Sequence, residues 1–340
     1  MLLPPSRLPV ALAAGLVALG ALAALSLALG AFPVAPRELA SVLWTALAGG
    51  ASGVGENTRA IVMEVRGPRI VAAIVVGAAL GAAGAAYQNV FRNPLVSPDI
   101  LGVSSGCALG AVIGILAGLP SAAMQGLAFA GGLAAAGLVL AIASLVRGHD
   151  RVLTLVLTGV VVGSLFSAGV SFAKAIADPY NQLPPITYWL LGSFGGLLPR
   201  DVMVAVPLML LATVPLAMLR WRVNVLALPD DEARSLGVDV ARTRLAVIAA
   251  ATLATSTAVA IVGVIGWVGL VVPHAARLLA GPSFARVLPL SALIGAAFLL
   301  VVDTLCRTVV HGELPPGVVT ALVGTPTFIA LLAASSRRAP

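Results

Sequence analysis

Charged and aromatic side chains are scarce in this chain. Only 10% of its 340 residues are charged and 5% are aromatic, whereas 60% are hydrophobic, and the mean hydropathy is +1.07. A soluble domain carries roughly a quarter charged residues, so the composition excludes a soluble globular protein and predicts an integral membrane protein. With few large rings and 36 glycines, we expect the helices to pack through small residues.

Cysteine and lysine are also rare. Cys107 and Cys306 lie in apolar runs, so neither a disulfide framework nor a cysteine metal cluster is expected. The chain has one lysine, Lys174, and it does not follow a glycine. A phosphate-binding loop needs Gly-Lys-Ser/Thr, so we expect this chain to bind no ATP of its own. No metal-ligand spacing connects the three histidines, His149, His274 and His311.

Charge-free intervals give the number of membrane spans, because a helix needs about 20 apolar residues to cross a bilayer. They predict an all-α membrane protein with ten transmembrane helices. Two intervals hold two spans each: 99–146, with a turn at 118–121, and 245–281, which is broken by glycines. A loop with a short interfacial helix is predicted at 179–199. The other spans are predicted at 8–36, 70–91, 152–173, 202–219, 287–302 and 314–336.

The arginines predict the orientation. Nineteen of the twenty basic residues are arginines between apolar runs, which favours topology over nucleic-acid binding as the reason for the net charge of +7. With ten spans, thirteen basic residues fall on the side of the termini and seven on the other side. The positive-inside rule therefore places both termini in the cytoplasm. The similarity of 71–86 to 245–260 also predicts an inverted repeat of helices 2–5 and 7–10.

One polar segment, LPDDEARSLGVDVARTR at 228–244, interrupts the apolar sequence. Pro229 and three acidic residues suit the first turn of a helix, Gly237 suits its C-terminal cap, and Asp239 can cap the next helix. The segment therefore predicts a short helix across the cytoplasmic face. It is either a solvated loop or a docking site for a cytoplasmic partner.

Five blocks of the sequence, in this order, resemble one known family. They are VRGPRIVAAIVVGAALGAAGA (65–85), FRNPLVSPDILGVSSGCALGA (91–111), the polar segment, GVIGWVGLVVPHAARLLAGP (263–282) and ELPPGVVTALVGTPTFIALL (313–332). The resemblance, over nearly the whole chain, is to the permease subunits of binding-protein-dependent ABC importers for iron-siderophore complexes, haem and cobalamin.

The resemblance implies a single permease domain over 1–340 that is not itself an enzyme. It implies a homodimer in a bacterial inner membrane, two separate ATPase subunits that bind ATP and Mg, and a periplasmic binding protein. The cargo implied is a metal chelate, with ferric siderophore or haem first and cobalamin, molybdate or tungstate as alternatives. This chain is expected to have no cofactor and no nucleic-acid partner. Membrane lipid is expected as a partner.

The resemblance also assigns roles to residues. The coupling helices, 228–243, insert into a groove on the ATPase through Asp230, Asp231, Glu232, Arg234, Leu236 and Gly237. The cytoplasmic gate comprises Asn93, Pro94, Leu95, Asp150 and Arg151. Docking of the binding protein falls to Arg66, Arg69 and Arg307, although arginine near a membrane end also snorkels to water. The pathway is lined by Ser164, Ser167 and Ser171, unless these serines serve only helix contacts.

Two other functions are open from the sequence. Gly102–Gly106 fits the G-x-S-x-G motif of serine hydrolases, with His274 as a base, but that motif needs a strand-to-helix elbow. An ion-coupled carrier usually has ionisable groups in mid-membrane, whereas Asp303 and Glu313 lie near a span end.

Overall fold

The fold is helical throughout the part of the chain that the structure describes. The computed structural model describes residues 4–30, 32–48, 54–146, 151–309 and 312–336, and all regular elements in these ranges are helices. The predicted all-α class is therefore confirmed.

The described helices of the first half follow the predicted intervals, except for Pro36–Ala48 and Glu56–Ala60, which lie between two of them. The chain turns between Val103–Leu116 and Ser121–Leu145 at the predicted place: Gly118 has a φ of +63°, and Pro120 precedes the second of these helices. Short 3₁₀ segments at Pro5–Arg7 and Pro98–Leu101 and a π-helical turn at Ile61–Arg66 complete this half. Its helices are α1 (Leu8–Ala28), α2 (Pro36–Ala48), α3 (Glu56–Ala60), α4 (Gly67–Val90), α5 (Val103–Leu116), α6 (Ser121–Leu145) and α7 (Arg151–Ile176).

The second half contains the predicted short helix, α8, and the predicted break in 245–281. Gly263 has a φ of +72°, a conformation that glycine adopts without steric cost, and it ends α12 before α13 begins. The helices are α8 (Leu183–Leu190), α9 (Pro199–Met218), α10 (Arg220–Val225), α11 (Asp230–Ser235), α12 (Val240–Val262), α13 (Val268–Ala280), α14 (Phe284–Thr308) and α15 (Pro316–Ser336).

Seven helices in the described ranges are long and apolar enough to cross a membrane. Three shorter apolar helices, α5, α13 and α15, occupy the remaining predicted places. The structure contains no membrane, so the count of ten crossings and the inverted repeat stay predictions.

The core forms around α4 and α12. In their most apolar windows 78% and 72% of the residues are buried, against 50% or less in the other long spans. Helix α4 packs against α14 so closely that a Cβ on Gly77 would overlap the carbonyl of Gly295. This close approach confirms the expected packing through small residues.

Candidate functional site

The polar segment folds as a short helix with a defined beginning and end. Pro229 precedes α11, the side chain of Leu236 is 52% exposed, and Gly237 ends the turn with a φ of +78°. Asp239 then accepts a hydrogen bond from the backbone N–H of Arg242 at 3.0 Å, as an N-cap does. The local structure predicted for this segment is therefore confirmed.

Helix α11 has one buried face and one exposed face. Ala233 is fully buried against the rest of the protein, whereas Asp231 is 97% exposed and pairs with Arg234 at 2.7 Å. Glu232 is also exposed. The exposed face thus combines both charge signs with the apolar Leu236, which suits contact with another protein. The coupling role of these residues stays a prediction.

Asp230 points back into the protein and joins two other elements. Its Oδ1 is 2.6 Å from a terminal nitrogen of Arg92, which follows α4, and 3.1 Å from one of Arg244 in α12. Arg92 also donates a hydrogen bond from Nε to the carbonyl of Leu226 at 2.9 Å, and its φ of +49° is uncommon for a non-glycine residue. We call Arg92, Asp230 and Arg244 the inner junction.

The charges of the inner junction change the acidity of Asp230. Partial burial acts to raise the pKa of this carboxyl, but the hydrogen bond from Arg92 and the charge and hydrogen bonds of Arg244 outweigh it. The pKa of Asp230 therefore lies below its ordinary range, and the carboxylate is the stable form at neutral pH.

The predicted gate lies beside the inner junction. Asn93, Pro94 and Leu95 are exposed, and the side-chain oxygen of Asn93 accepts a hydrogen bond from the N–H of Leu95 at 2.9 Å. This turn follows Arg92 directly, so a shift of Arg92 also shifts the turn. Asp150 lies outside the described residues, as does the side chain of Arg151.

A second group of charges lies at the opposite end of α4. Arg69 contacts Asp303 through Nε at 2.6 Å and Glu313 through a terminal nitrogen at 2.5 Å. Arg307 lies 3.4 Å from the other oxygen of Asp303. The side chain of Asp303 is fully buried, whereas that of Glu313 is 50% exposed. We call Arg69, Asp303, Arg307 and Glu313 the outer cluster.

The three arginines predicted to dock a binding protein all have partners within the chain. Arg66 is 6% and Arg69 7% exposed. Arg66 donates to the carbonyls of Leu27, Ala28 and Phe32, and Arg307 donates to the carbonyl of Leu29 and to Ser26. Their guanidinium groups are therefore held by oxygens in and just after α1 and by the carboxylates of Asp303 and Glu313. The docking role stays a prediction.

Comparison with known proteins identifies the family. The FecCD transport family matches residues 17–334. The chain belongs to this family. It is 40% identical over 283 residues to the cobalamin import system permease protein BtuC of Halobacterium salinarum, covering 82% of this chain and 75% of that protein. It is 41% identical over 326 residues to the Fe(3+) dicitrate transport system permease protein FecD of Escherichia coli, covering 93% and 96%.

A solved structure agrees with this assignment. An inward-facing conformation of a putative metal-chelate type ABC transporter superposes with a TM-score of 0.86 at 33% identity, covering 96% of this chain and 99% of that one. The resemblance predicted from the five sequence blocks is therefore confirmed, and the chain is a membrane permease of the FecCD transport family.

In this FecCD family chain the three predicted pathway serines are exposed on α7. Ser167 donates a hydrogen bond to the hydroxyl of Ser105 in α5 at 3.2 Å. Ser164 and Ser171 donate to carbonyls one turn earlier in α7, at 2.8 and 3.0 Å. Ser167 thus serves a helix contact, as one of the two readings expected, and the pathway role of all three stays a prediction.

The hydrolase reading lacks its geometry. Ser104 lies in the first turn of α5 and donates its hydrogen bond to Asp99, whereas the ring of His274 packs on Phe328 at 6.2 Å. Among the described residues, which exclude His149 and His311, no three metal-ligating side chains lie together. Cys107 and Cys306 are buried free thiols.

Sequence analysis missed the partners of the charged residues. From the sequence, Arg92 and Arg244 indicate only topology, and Asp303 lies near a span end with no evident partner. The spacing of Asp303 and Arg307, one helical turn apart, was a usable signal for a pair. The distance of 138 residues between Arg92 and Asp230 left no such signal.

Proposed function

We propose that this chain is the membrane-spanning subunit of an ATP-driven, binding-protein-dependent importer of a metal chelate. Ferric siderophore or haem is the leading cargo, and cobalamin or molybdate and tungstate are the alternatives. Two copies of the chain form the conduit and two ATPase subunits bind ATP and Mg. A periplasmic binding protein delivers the cargo. Membership of the FecCD transport family over residues 17–334 supports this proposal.

The observation that carries the proposal is the arrangement of exposed and ion-paired side chains on α11. This helix presents Asp231, Glu232 and Leu236 outward, while Asp230 ties it to Arg92, the residue before the predicted gate. One side of α11 is exposed, and the other side is ion-paired to the end of a core helix. A displacement of α11 by a partner protein would therefore be transmitted to the membrane domain. We therefore assign the polar segment to ATPase coupling.

The inner junction gives the motion a route. ATP binding closes the ATPase pair and displaces the coupling helices, and Asp230 pulls on Arg92. The turn of Asn93, Pro94 and Leu95 then moves, because it follows Arg92 in the chain. Access to the conduit alternates between the two sides of the bacterial inner membrane, with the coupling helices and both termini in the cytoplasm.

At the other face the binding protein docks near Arg66, Arg69 and Arg307. Charge pairing at such surfaces mainly orients and accelerates association. Since these arginines already have internal partners, the half-exposed Glu313 competes with incoming carboxylates for Arg69.

Replacement of Leu236 tests the coupling role. In vesicles containing the permease, its ATPase and its binding protein, Leu236→Asp should abolish ATP-dependent uptake and reduce ATPase co-purification. The charge puts a desolvation cost into an apolar contact. Leu119→Asp, at an exposed leucine in the turn between α5 and α6, is the control for ATPase association and should leave it intact.

The same vesicles separate the alternative of an ion-coupled carrier. Uptake that persists without ATP under an ion gradient, with Leu236→Asp as active as the unchanged chain, would contradict the importer assignment.

A further inference from the structure

An acidic side chain lies between α4 and α5, beside the middle of α4. Asp99 belongs to the 3₁₀ turn Pro98–Leu101 and lines a recess together with Leu80, Val259 and Trp267. Leu80 is near the middle of α4, and Val259 is one turn from the end of α12. The chain therefore returns from the end of α4 into the membrane domain before α5 starts, and Asp99 lies beside the two most buried spans.

Asp99 differs in its partners from Asp303, the buried acid near the end of α14. Asp303 is buried between two arginines. Asp99 is exposed and accepts a hydrogen bond from Ser104, and within the described ranges no basic group lies within ion-pair distance of it. A charged group inside a membrane normally faces a cavity and has a counter-charge. A cationic or hydrogen-bond-donating group that approaches Asp99 would therefore meet no competing ion pair within the described chain.

The carboxylate is continuous with the predicted pathway face. Ser104 and Ser105 are half-buried next to it, and Ser105 accepts the hydrogen bond of Ser167 from α7. The 3₁₀ turn is pressed against α7, because a Cβ on Gly159 would overlap the carbonyl of Ile100. Asp99 is thus linked to Ser104, and the adjacent Ser105 is linked to Ser167 of α7.

Trp267 provides the opposite wall of the recess. It precedes α13 with a φ of +71°, a strained conformation for a bulky residue that is concentrated at functional sites. Its indole ring contacts Phe328 of α15 edge-on at 6.2 Å. A carboxylate and an indole in one recess attract cations and N–H or O–H donors and repel anions.

We propose that the recess of Asp99 and Trp267 is a cargo-contact site that accepts a cationic or hydrogen-bond-donating group of the chelate and disfavours anionic cargo. This inference rests on the proposed importer function and narrows its substrate class. It favours chelates with ammonium, amide or hydroxyl groups at their surface over oxyanions such as molybdate, over citrate complexes and over haem, which carries two propionate carboxylates.

Equilibrium dialysis against the purified permease dimer, without ATPase, tests this inference. The cationic probe is ferrioxamine B, an iron hydroxamate with a free ammonium group, and the anionic probe is molybdate. The unchanged dimer should bind the cationic probe more tightly. Asp99→Asn should weaken that binding about fivefold or more, the worth of a charge pair of roughly 1 kcal/mol at an aqueous contact, and should not weaken molybdate binding.

Matched variants keep the test decisive. Asp99→Glu should retain the preference, and Glu64→Gln, which removes an exposed negative charge elsewhere, should have no effect; thermal unfolding checks that each variant folds. Failure of the unchanged dimer to prefer the cationic probe, or equal effects of Asp99→Asn and Glu64→Gln, would overturn the inference. The inference would also be overturned if sodium chloride alone produced a response that depends on Asp99. The proposed function is tested separately, by ATP-dependent uptake in vesicles. Failure of this inference can therefore be distinguished from failure of the proposed function.

Discussion

The outer cluster and the inner junction use the same residue types at opposite ends of α4, but in different surroundings. Asp303 of the outer cluster is fully buried, whereas the side chains of Asp230 and Arg92 in the inner junction are each 33% exposed. A buried charge depends strongly on its partner, while a half-exposed one can exchange its partner for water. We therefore expect the outer cluster to fix the position of helices, and we propose that the inner junction breaks and re-forms during transport.

Loss of the buried carboxylate is the strongest way to break this comparison. Asp303→Asn should lower the free energy of unfolding by about 3–5 kcal/mol, because Arg69 and Arg307 lose their buried countercharge. The measurement is thermal or denaturant unfolding of the purified permease. Glu313→Gln, at a half-exposed member of the same cluster, is the matched control and should cost much less. Equal losses for the two variants would show that burial does not decide the role.

Exchange of charges at the inner junction should affect transport more than stability. Arg92→Asp alone should reduce ATP-dependent uptake about tenfold, which corresponds to roughly 1.4 kcal/mol, close to the worth of a hydrogen bond to a charged group. ATPase activity should persist, so fewer molecules are transported per ATP. Adding Asp230→Arg should restore part of the uptake. If the double variant transports no better than the single one, the pair does not transmit the motion.

The sequence predicts the two regions unequally well. Charge-free lengths place the helices because a bilayer imposes one span length. The proline, acidic residues and glycine of 228–244 predict α11 because caps are local. The partners of Asp230 and Asp303 come from residues far along the chain, and only the packing of α4 against α12 and α14 brings them together. Local chemistry is therefore readable from the sequence, whereas the ion pairs that connect helices are not.

Acidic pH should open the inner junction before it disturbs neutral contacts. The pKa of Asp230 is lowered in the folded protein, so its contribution to stability is fully present above the unfolded pKa of about 3.9. It is lost as the pH falls further, through the folded pKa. Unfolding temperatures measured from pH 7 to pH 3 should fall less steeply below pH 4 for Asp230→Asn than for the unchanged chain. Parallel curves would argue against a stabilising charge at this position.

The smallest effect on stability is expected for the ion pair on the exposed face of α11. This pair is also the best control for the influence of burial on ion-pair strength. A carboxylate oxygen of Asp231 lies 2.7 Å from a terminal nitrogen of Arg234, one turn further along the helix, and the Asp230–Arg92 distance is nearly the same. The side chain of Asp231, however, is 97% exposed. Exposed pairs contribute little to stability because water solvates both ions. Asp231→Asn should therefore leave the unfolding temperature unchanged and weaken only association with the ATPase. A destabilisation equal to that of Asp230→Asn would mean that distance, rather than burial and the second arginine, determines the strength of these pairs.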